Sequence, residues 1–456
     1  MTETKKEPSV LNRRFLQRVA AIALPVALQT LITTAVSTAD TVMISSLGSA
    51  SIAAVGLVNQ FVFLFQIIAF GIGGAGAVFF AQFFGHEDIK SLRRYVGLTL
   101  RVALVVGAAF GAVAFFFPTS ILRFMIDDPE VIAIGVRYLS AVAFSLPLFG
   151  ISVVLEAALR SVNRAREPLF ITVVAFFTNV FFNYVFIFGA WGAPRLGVLG
   201  AAVGTVIARV VECIALMSLV VLRAPRAANV RPMGVLKADG ALFREFFPIA
   251  FPIVLTEASW ATAQLFFAIA YARLGRDATA AVQLTNTINN LFFILNEALC
   301  SASAVLLGQS LGAGRLHEAD RMSVGLLKLN LLVGLFSLAV MVFFPGPLLR
   351  IYGVLDPTVH DVSVNLLVIR GFAIPFRFIT SMFLVGIFRA GGETKRAFLI
   401  EACTIWLYAM PLSFLGTQVF HWPIEVVYAL VASEEVIKMG FYIALYRKKT
   451  WLKALT

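Results

Sequence analysis

Twelve predominantly apolar stretches follow one another along the chain, at 16–45, 52–84, 94–117, 131–158, 168–190, 196–222, 245–271, 279–311, 322–345, 358–387, 397–418 and 424–446. A helix needs about 20 such residues to cross the hydrocarbon core of a bilayer. In that medium each backbone N–H and C=O must be satisfied inside the structure, so stretches of this kind form helices. Hydrophobic residues are 60% and charged residues only 14% of the 456, against about 25% charged in a soluble domain. No soluble interior grows fast enough with chain length to hide that much apolar side chain. A soluble enzyme, a disordered chain and a secreted disulfide scaffold are thereby excluded. The first stretch is too long for a signal h-region and has no small-residue cleavage pattern, so it reads as the first span. The second and eighth are long enough to require tilt or bending.

The net charge of +12 would suggest nucleic acid in a soluble domain. Here the basic residues sit in short segments between spans, where the positive-inside rule places them, and no nucleic-acid partner is expected. They gather at the N-terminus (Lys5, Lys6, Arg13, Arg14, Arg18), after every even-numbered span, and at the C-terminus (Arg447, Lys448, Lys449, Lys453). The opposite loops hold Arg123, Arg195, Arg273, Arg276 and Arg350. This asymmetry predicts an even number of spans with both termini in the cytoplasm. Cys213, Cys300 and Cys403 all lie within apolar segments; an odd count without paired spacing argues against a disulfide framework or a metal site.

The chain repeats itself at an offset of 227 residues. Pro25 aligns with Pro252, Leu47-Gly48 with Leu274-Gly275, Asn59 with Asn286, Gln82 with Gln309 and Phe116-Phe117-Pro118 with Phe343-Phe344-Pro345. Apolar composition alone does not align Pro, Gly, Asn and Gln in one register. An offset that covers an even number of spans gives two halves of the same orientation, related by an axis along the membrane normal, as in some secondary carriers. The expected fold is therefore all-α and integral to the membrane, with twelve transmembrane helices in two pseudo-symmetric six-helix bundles. Its parts are a cytoplasmic N-terminus (1–15), an N-terminal lobe (16–222), a basic cytoplasmic linker (223–244), a C-terminal lobe (245–446) and a basic tail (447–456).

Ionisable residues inside a span are costly and point to function. Asp40 lies in the outward half of span 1, and Thr33, Ser37 and Asp40 share one helix face. Its repeat mate is Phe267, so the acid is private to the N-terminal half. Asn179 and Asn183 of span 5 lie one turn apart on one face and need polar partners in hydrocarbon; Asp40 is a natural one, and Thr205 of span 6 adds a hydroxyl. Desolvation disfavours the charged form of such a carboxyl, which suits it to binding and releasing a proton. With no second acid beside it, a proton is favoured over Na⁺ as coupling ion. Glu257 and Glu297 are candidates to line the C-terminal lobe, with Thr33 and Ser37 as candidates for the substrate cavity. Arg209 with Glu212, and Glu434 with Lys438, have the spacing of self-satisfying ion pairs. Arg101, Arg137, Lys328, Arg370, Arg377 and Glu401 are expected to snorkel towards an interface. Pro25 and Pro252 each remove a helix hydrogen bond and are candidate hinges.

Several segments resemble the multidrug and toxic compound extrusion family: LPVALQ with TADTVMISSLG in span 1, AQFFG and its repeat LGQSLG, ALR and FRAGGETKR after spans 4 and 10, and NYVFIFG followed by GVLGAAVGT. The resemblance covers essentially the whole chain. It implies a cation-coupled exporter of organic, often cationic, drugs and toxic compounds that works by alternating access. In the DinF-type branch an acid of the first helix carries the proton, and that position is Asp40; the proline that bends the helix corresponds to Pro25. Relatives with an N-lobe cation site match at Asp40, Asn179 and Thr205 but carry a second Asp where this chain has Asn183. That departure disfavours Na⁺ there. No C-lobe cation site is carried over, since Glu257 stands about a turn from the family position and span 10 has no central acid. A lipid or lipid-linked oligosaccharide flippase of similar architecture is the alternative. No enzyme activity and no cofactor are expected; the expected setting is the cell inner membrane, with the chain working as a monomer.

Overall fold

The computed structural model describes residues 12–222, 240–353 and 356–455. Lys5, Lys6 and most of the expected linker lie outside them. The described residues are helical throughout, with no strand among them. In the first half the helices are α1 (Arg13–Ser45), α2 (Ser49–Gly85), α3 (Ile89–Phe116), α4 (Pro118–Met125), α5 (Pro129–Val142), α6 (Ser145–Ser161), α7 (Arg166–Phe188) and α8 (Val198–Leu222). The second half has α9 (Gly240–Ala272), α10 (Arg276–Gly312), α11 (Leu316–Phe343), α12 (Pro345–Arg350), α13 (Pro357–Ser381), α14 (Thr394–Cys403), α15 (Met410–Phe414), α16 (Ile424–Ala432) and α17 (Glu434–Arg447).

The repeat is written into these bounds. α1, α2 and α3 begin and end 227 residues before α9, α10 and α11. Gly48 and Gly275, which precede α2 and α10, take the same left-handed backbone, with φ 101° and 106°. A side chain at Gly107 would stand 2.8 Å from Pro147 Cα, and one at its repeat mate Gly334 would stand 2.9 Å from Pro375 Cα. Each half thus uses a glycine to bring one helix against the proline of another.

Among the described residues ten helices are long and apolar enough to span a membrane, and α5 with α6, bent by 46° at their break, makes an eleventh. The bend falls just before Pro147, which occupies the first turn of α6, where its missing N–H is tolerated. The twelfth stretch forms α16 and α17. Neither is long enough to span by itself, and the charged Glu434, Glu435 and Lys438 of the stretch are buried. α13 and α14 each pass into a π-helical segment, Met382–Phe388 and Thr404–Ala409. α1 and α9 run unbroken through Pro25 and through Pro248 and Pro252. Large apolar side chains such as Phe116, Phe177, Ile214, Phe336 and Leu407 are exposed, as lipid-facing surfaces require.

By internal contacts the chain forms two compact units, Pro25–Glu257 and the remainder, Met1–Leu24 with Ala258–Thr456. The boundaries fall within α1 and α9, not in the linker taken as the divider from sequence. In the first unit α7 packs along α8, and α2 lies against α3, α5 and α6. Its core gathers Ile44, Phe65, Leu122, Leu139, Phe149 and Ile187. In the second unit α13 lies against α10 and α11, around Ile288, Leu367, Ile374 and Phe378.

Candidate functional site

Asp40 lies on the last third of α1, inside the Pro25–Glu257 unit. Asn183 of α7 is 0% exposed and Asn179 only 3%. Asn183 donates from Nδ2 to Asp40 Oδ1 at 2.6 Å and to Asn179 Oδ1 at 3.1 Å. Asn179 Nδ2 in turn donates to Thr205 Oγ1 of α8 at 3.4 Å. The four residues singled out from sequence therefore form one hydrogen-bonded chain across three helices. Arg209 of α8 and Tyr138 of α5 are near enough to interact electrostatically with Asp40.

The close approach of α7 and α8 makes this chain possible. Gly200 and Gly204 are spaced as a small-xxx-small pair, which lets two helices pack backbone to backbone. A side chain at Gly204 would collide with Asn183 Oδ1. That oxygen is buried and has no hydrogen-bond partner. Gly204→Ala is therefore expected to cost about 1–3 kcal/mol through overpacking and to push Asn183 off Asp40. The check is thermal unfolding in detergent alongside pH-driven efflux. Wild-type values for both would show that Gly204 does not position Asn183.

A second polar group follows on α1, and the sequence reading missed it. Gln29 is buried and donates from Nε2 to Glu156 Oε1 of α6 at 2.7 Å and to Thr172 Oγ1 of α7 at 3.1 Å. Glu156 also faces Arg160 at 3.9 Å. Gln29, Thr33, Ser37 and Asp40 lie on one helix face, so extending the Asp40 stripe by one turn would have found Gln29. Glu156 was hidden by its place beside a basic loop.

The remaining candidates divide. Thr33 and Ser37 are exposed, and their hydroxyls donate back to the carbonyls of Gln29 and Thr33; neither joins Asp40. Glu257 is half-buried at the end of the first unit, while Glu297 is exposed on α10 in the other. Pro25 is the first residue of the first unit, and Pro252 is buried in α9. The pair Arg209–Glu212 forms at 2.7 Å. Arg377 and Glu401 do not snorkel: the side chains of Arg377 and Glu401 are 15% and 4% exposed, within an ion cluster that also takes in Glu434, Glu435 and Lys438. Spacing along one helix showed only the Glu434–Lys438 pair, because the other partners come from different helices.

Comparison with known proteins places these features. The MatE family model matches residues 25–185 and again residues 252–415, one match in each half of the repeat. The multidrug resistance protein NorM of Burkholderia vietnamiensis is 28% identical over 449 residues, which is 95% of this chain and 95% of that protein. The probable multidrug resistance protein NorM of Thermotoga maritima is 25% identical over 386 residues, covering 84% of this chain and 81% of its own. A mutant of a Vibrio cholerae MATE transporter has the same fold, with a TM-score of 0.87 at 18% identity over 96% of this chain and 99% of that one. A MATE crystallised in a bent conformation also gives a TM-score of 0.87, at 15% identity over 97% and 96% of the two chains.

Proposed function

This chain belongs to the MatE family, whose members are transporters and not enzymes, and we propose that it exports organic drugs in exchange for protons taken up at Asp40. The substrate class follows the names of the NorM relatives. The setting proposed is the bacterial inner membrane, with both termini cytoplasmic as the loop charges require, and one chain acting alone.

The observation that carries the choice of ion is the pairing of Asp40 with carboxamides rather than with a second acid. Ionised Asp40 accepts from Asn183 Nδ2 at 2.6 Å. Once protonated, the carboxyl becomes a donor. Asn183 can meet it by turning its amide, which brings the unpartnered Oδ1 to Asp40 and gives up the Nδ2 bond to Asn179. The same side chain thus serves both states, and neither leaves two like charges in a medium of low dielectric. A Na⁺ ion wants several oxygen ligands, and this site has a single carboxylate among neutral groups. Loading and unloading the proton changes the polar partners of α1, and the backbone hydrogen bond missing at Pro25 gives that helix a place to bend. Alternating access then follows from a ligand that binds two states unequally.

Everted vesicles preloaded with no ion gradient, then energised separately by a pH or a Na⁺ gradient, test this. Ethidium transport is expected with the pH gradient alone. Transport that requires Na⁺ and ignores pH overturns the reading.

A further inference from the structure

Five ionisable side chains meet inside the unit that carries the second half of the chain. Arg377 comes from α13, Glu401 from α14, and Glu434, Glu435 and Lys438 from α17. Lys438 is 0% exposed, and none of the three acids exceeds 6%. Lys438 Nζ lies 2.6 Å from Glu434 Oε1, 3.1 Å from Glu401 Oε2 and 3.5 Å from Glu435 Oε1. Arg377 Nη1 lies 2.6 Å from Glu435 Oε1. Three carboxyls against two cations leave a surplus negative charge if every group is ionised. Buried surplus charge is relieved by proton uptake rather than carried.

The hydrogen-bond inventory shows where that proton fits. Glu435 is surrounded by donors: Arg377, Lys438 and Thr380, whose hydroxyl donates to Oε2 at 2.5 Å. Both cations face it, Arg377 with a hydrogen bond at 2.6 Å, and hold it ionised, although the Thr380 hydroxyl has the Arg377 carbonyl at 3.0 Å as a second acceptor. Glu401 differs. The Tyr442 hydroxyl has one hydrogen and two acceptors within reach, the Ala397 carbonyl at 3.2 Å and Glu401 Oε2 at 3.1 Å. A carbonyl can only accept, so when Glu401 is protonated Tyr442 can donate to Ala397 while its oxygen takes the hydrogen of Glu401. Glu434 has the equivalent in Thr404, whose single hydroxyl hydrogen stands near the Ile400 and Glu401 carbonyls and Glu434 Oε1. Two independent features mark the cluster further. Lys438 Nζ stands close to three carboxylates at once, at 2.6, 3.1 and 3.5 Å, with none of them well aligned as a hydrogen-bond acceptor. Both α13 and α14 turn π-helical where they meet the cluster, just after Thr380 and at Thr404, and π-bulges concentrate at functional sites.

Other charged groups act from farther off. Arg370 of α13 spends its Nε on Asn289 at 2.8 Å, beside the Tyr271 and Tyr428 phenols. Glu297 of α10 and Arg389 lie around Cys300.

We propose that Glu401 and Glu434, bridged by Lys438, share one exchangeable proton and form a second proton site of the transport cycle, besides Asp40. The inference rests on the proton-coupled reading above. On release the O–H bond of Glu401 or Glu434 breaks, the proton passes to water and the cluster keeps its surplus charge until it is reprotonated.

The test is proton release on adding ethidium to purified, weakly buffered protein, followed with a pH-indicator dye. Glu401→Gln and Glu434→Gln each leave two acids with two cations and no need for the shared proton. Each is expected to release about half as many protons as the wild type, one site having been silenced. Wild-type release by both variants overturns the proposal. Wild-type release by Asp40→Asn instead overturns the Asp40 reading, so the two failures fall on different variants. If neither glutamine variant folds, infrared spectroscopy of the Asp40→Asn, Glu156→Gln protein decides. A protonated-carboxyl band at neutral pH supports the cluster, and its absence overturns it.

Discussion

Vesicles carrying Asp40→Asn are expected to show pH-driven ethidium transport no faster than unenergised wild-type vesicles, while the protein folds and still binds the dye. The carboxamide keeps the size of the carboxyl and can still pair with Asn183, whose Nδ2 now meets Asp40 at 2.6 Å. It cannot take up a proton. The two states of the site then become one, and a gradient has nothing to act on: a ligand shifts an equilibrium only by its difference in affinity for the two states. Unfolding in detergent should match the wild type, which separates lost coupling from lost structure. Wild-type transport by this variant would remove Asp40 from the mechanism.

Lys438→Met is expected to give the largest loss of stability of any single change considered. It withdraws the one cation that lies within 3.5 Å of all three buried acids. Removing one partner of a buried ionic group typically costs about 3–5 kcal/mol, because the other partners stay buried and uncompensated. The sign with pH follows: the surplus carboxylates can be neutralised by protons, so stability should recover on acidification. Adding Glu401→Gln should restore part of the loss, and the two changes should not be additive since they share a contact. Thermal unfolding of the solubilised single and double variants, at neutral and acid pH, measures both effects. A Lys438→Met protein as stable as wild type would mean that the cluster is open to water.

Much of the fold can be read in the residues. The offset of 227 residues reappears in the helix bounds of α1 to α3 against α9 to α11, because each proline, glycine and polar turn acts on its own few residues of backbone. The same locality explains Gly48 and Gly275. The bend between α5 and α6 was not legible. Pro147 and Pro375 align in sequence, yet α13 runs through its proline and the other span breaks. At the site, Asp40, Asn179, Asn183 and Thr205 could be named because lone polar groups in apolar helices must find one another. Glu156 escaped since it stands near the end of its span, where a polar residue calls for no partner, and Gln29, in the middle of α1, because it lies a turn beyond Thr33, outside the stripe read from sequence.

Apolar run length, loop charge and the internal repeat determined by themselves that the chain is a membrane protein of two like halves with a carboxyl in the first helix. Those properties depend on water, lipid and residues close in sequence. Only the tertiary structure decided that Arg377 and Glu401 turn inward to Lys438, that Gly204 makes room for Asn183, and that the compact units divide at Pro25 and Glu257. Each of these is a meeting of residues distant in sequence, and one helix does not record which face another will press against it.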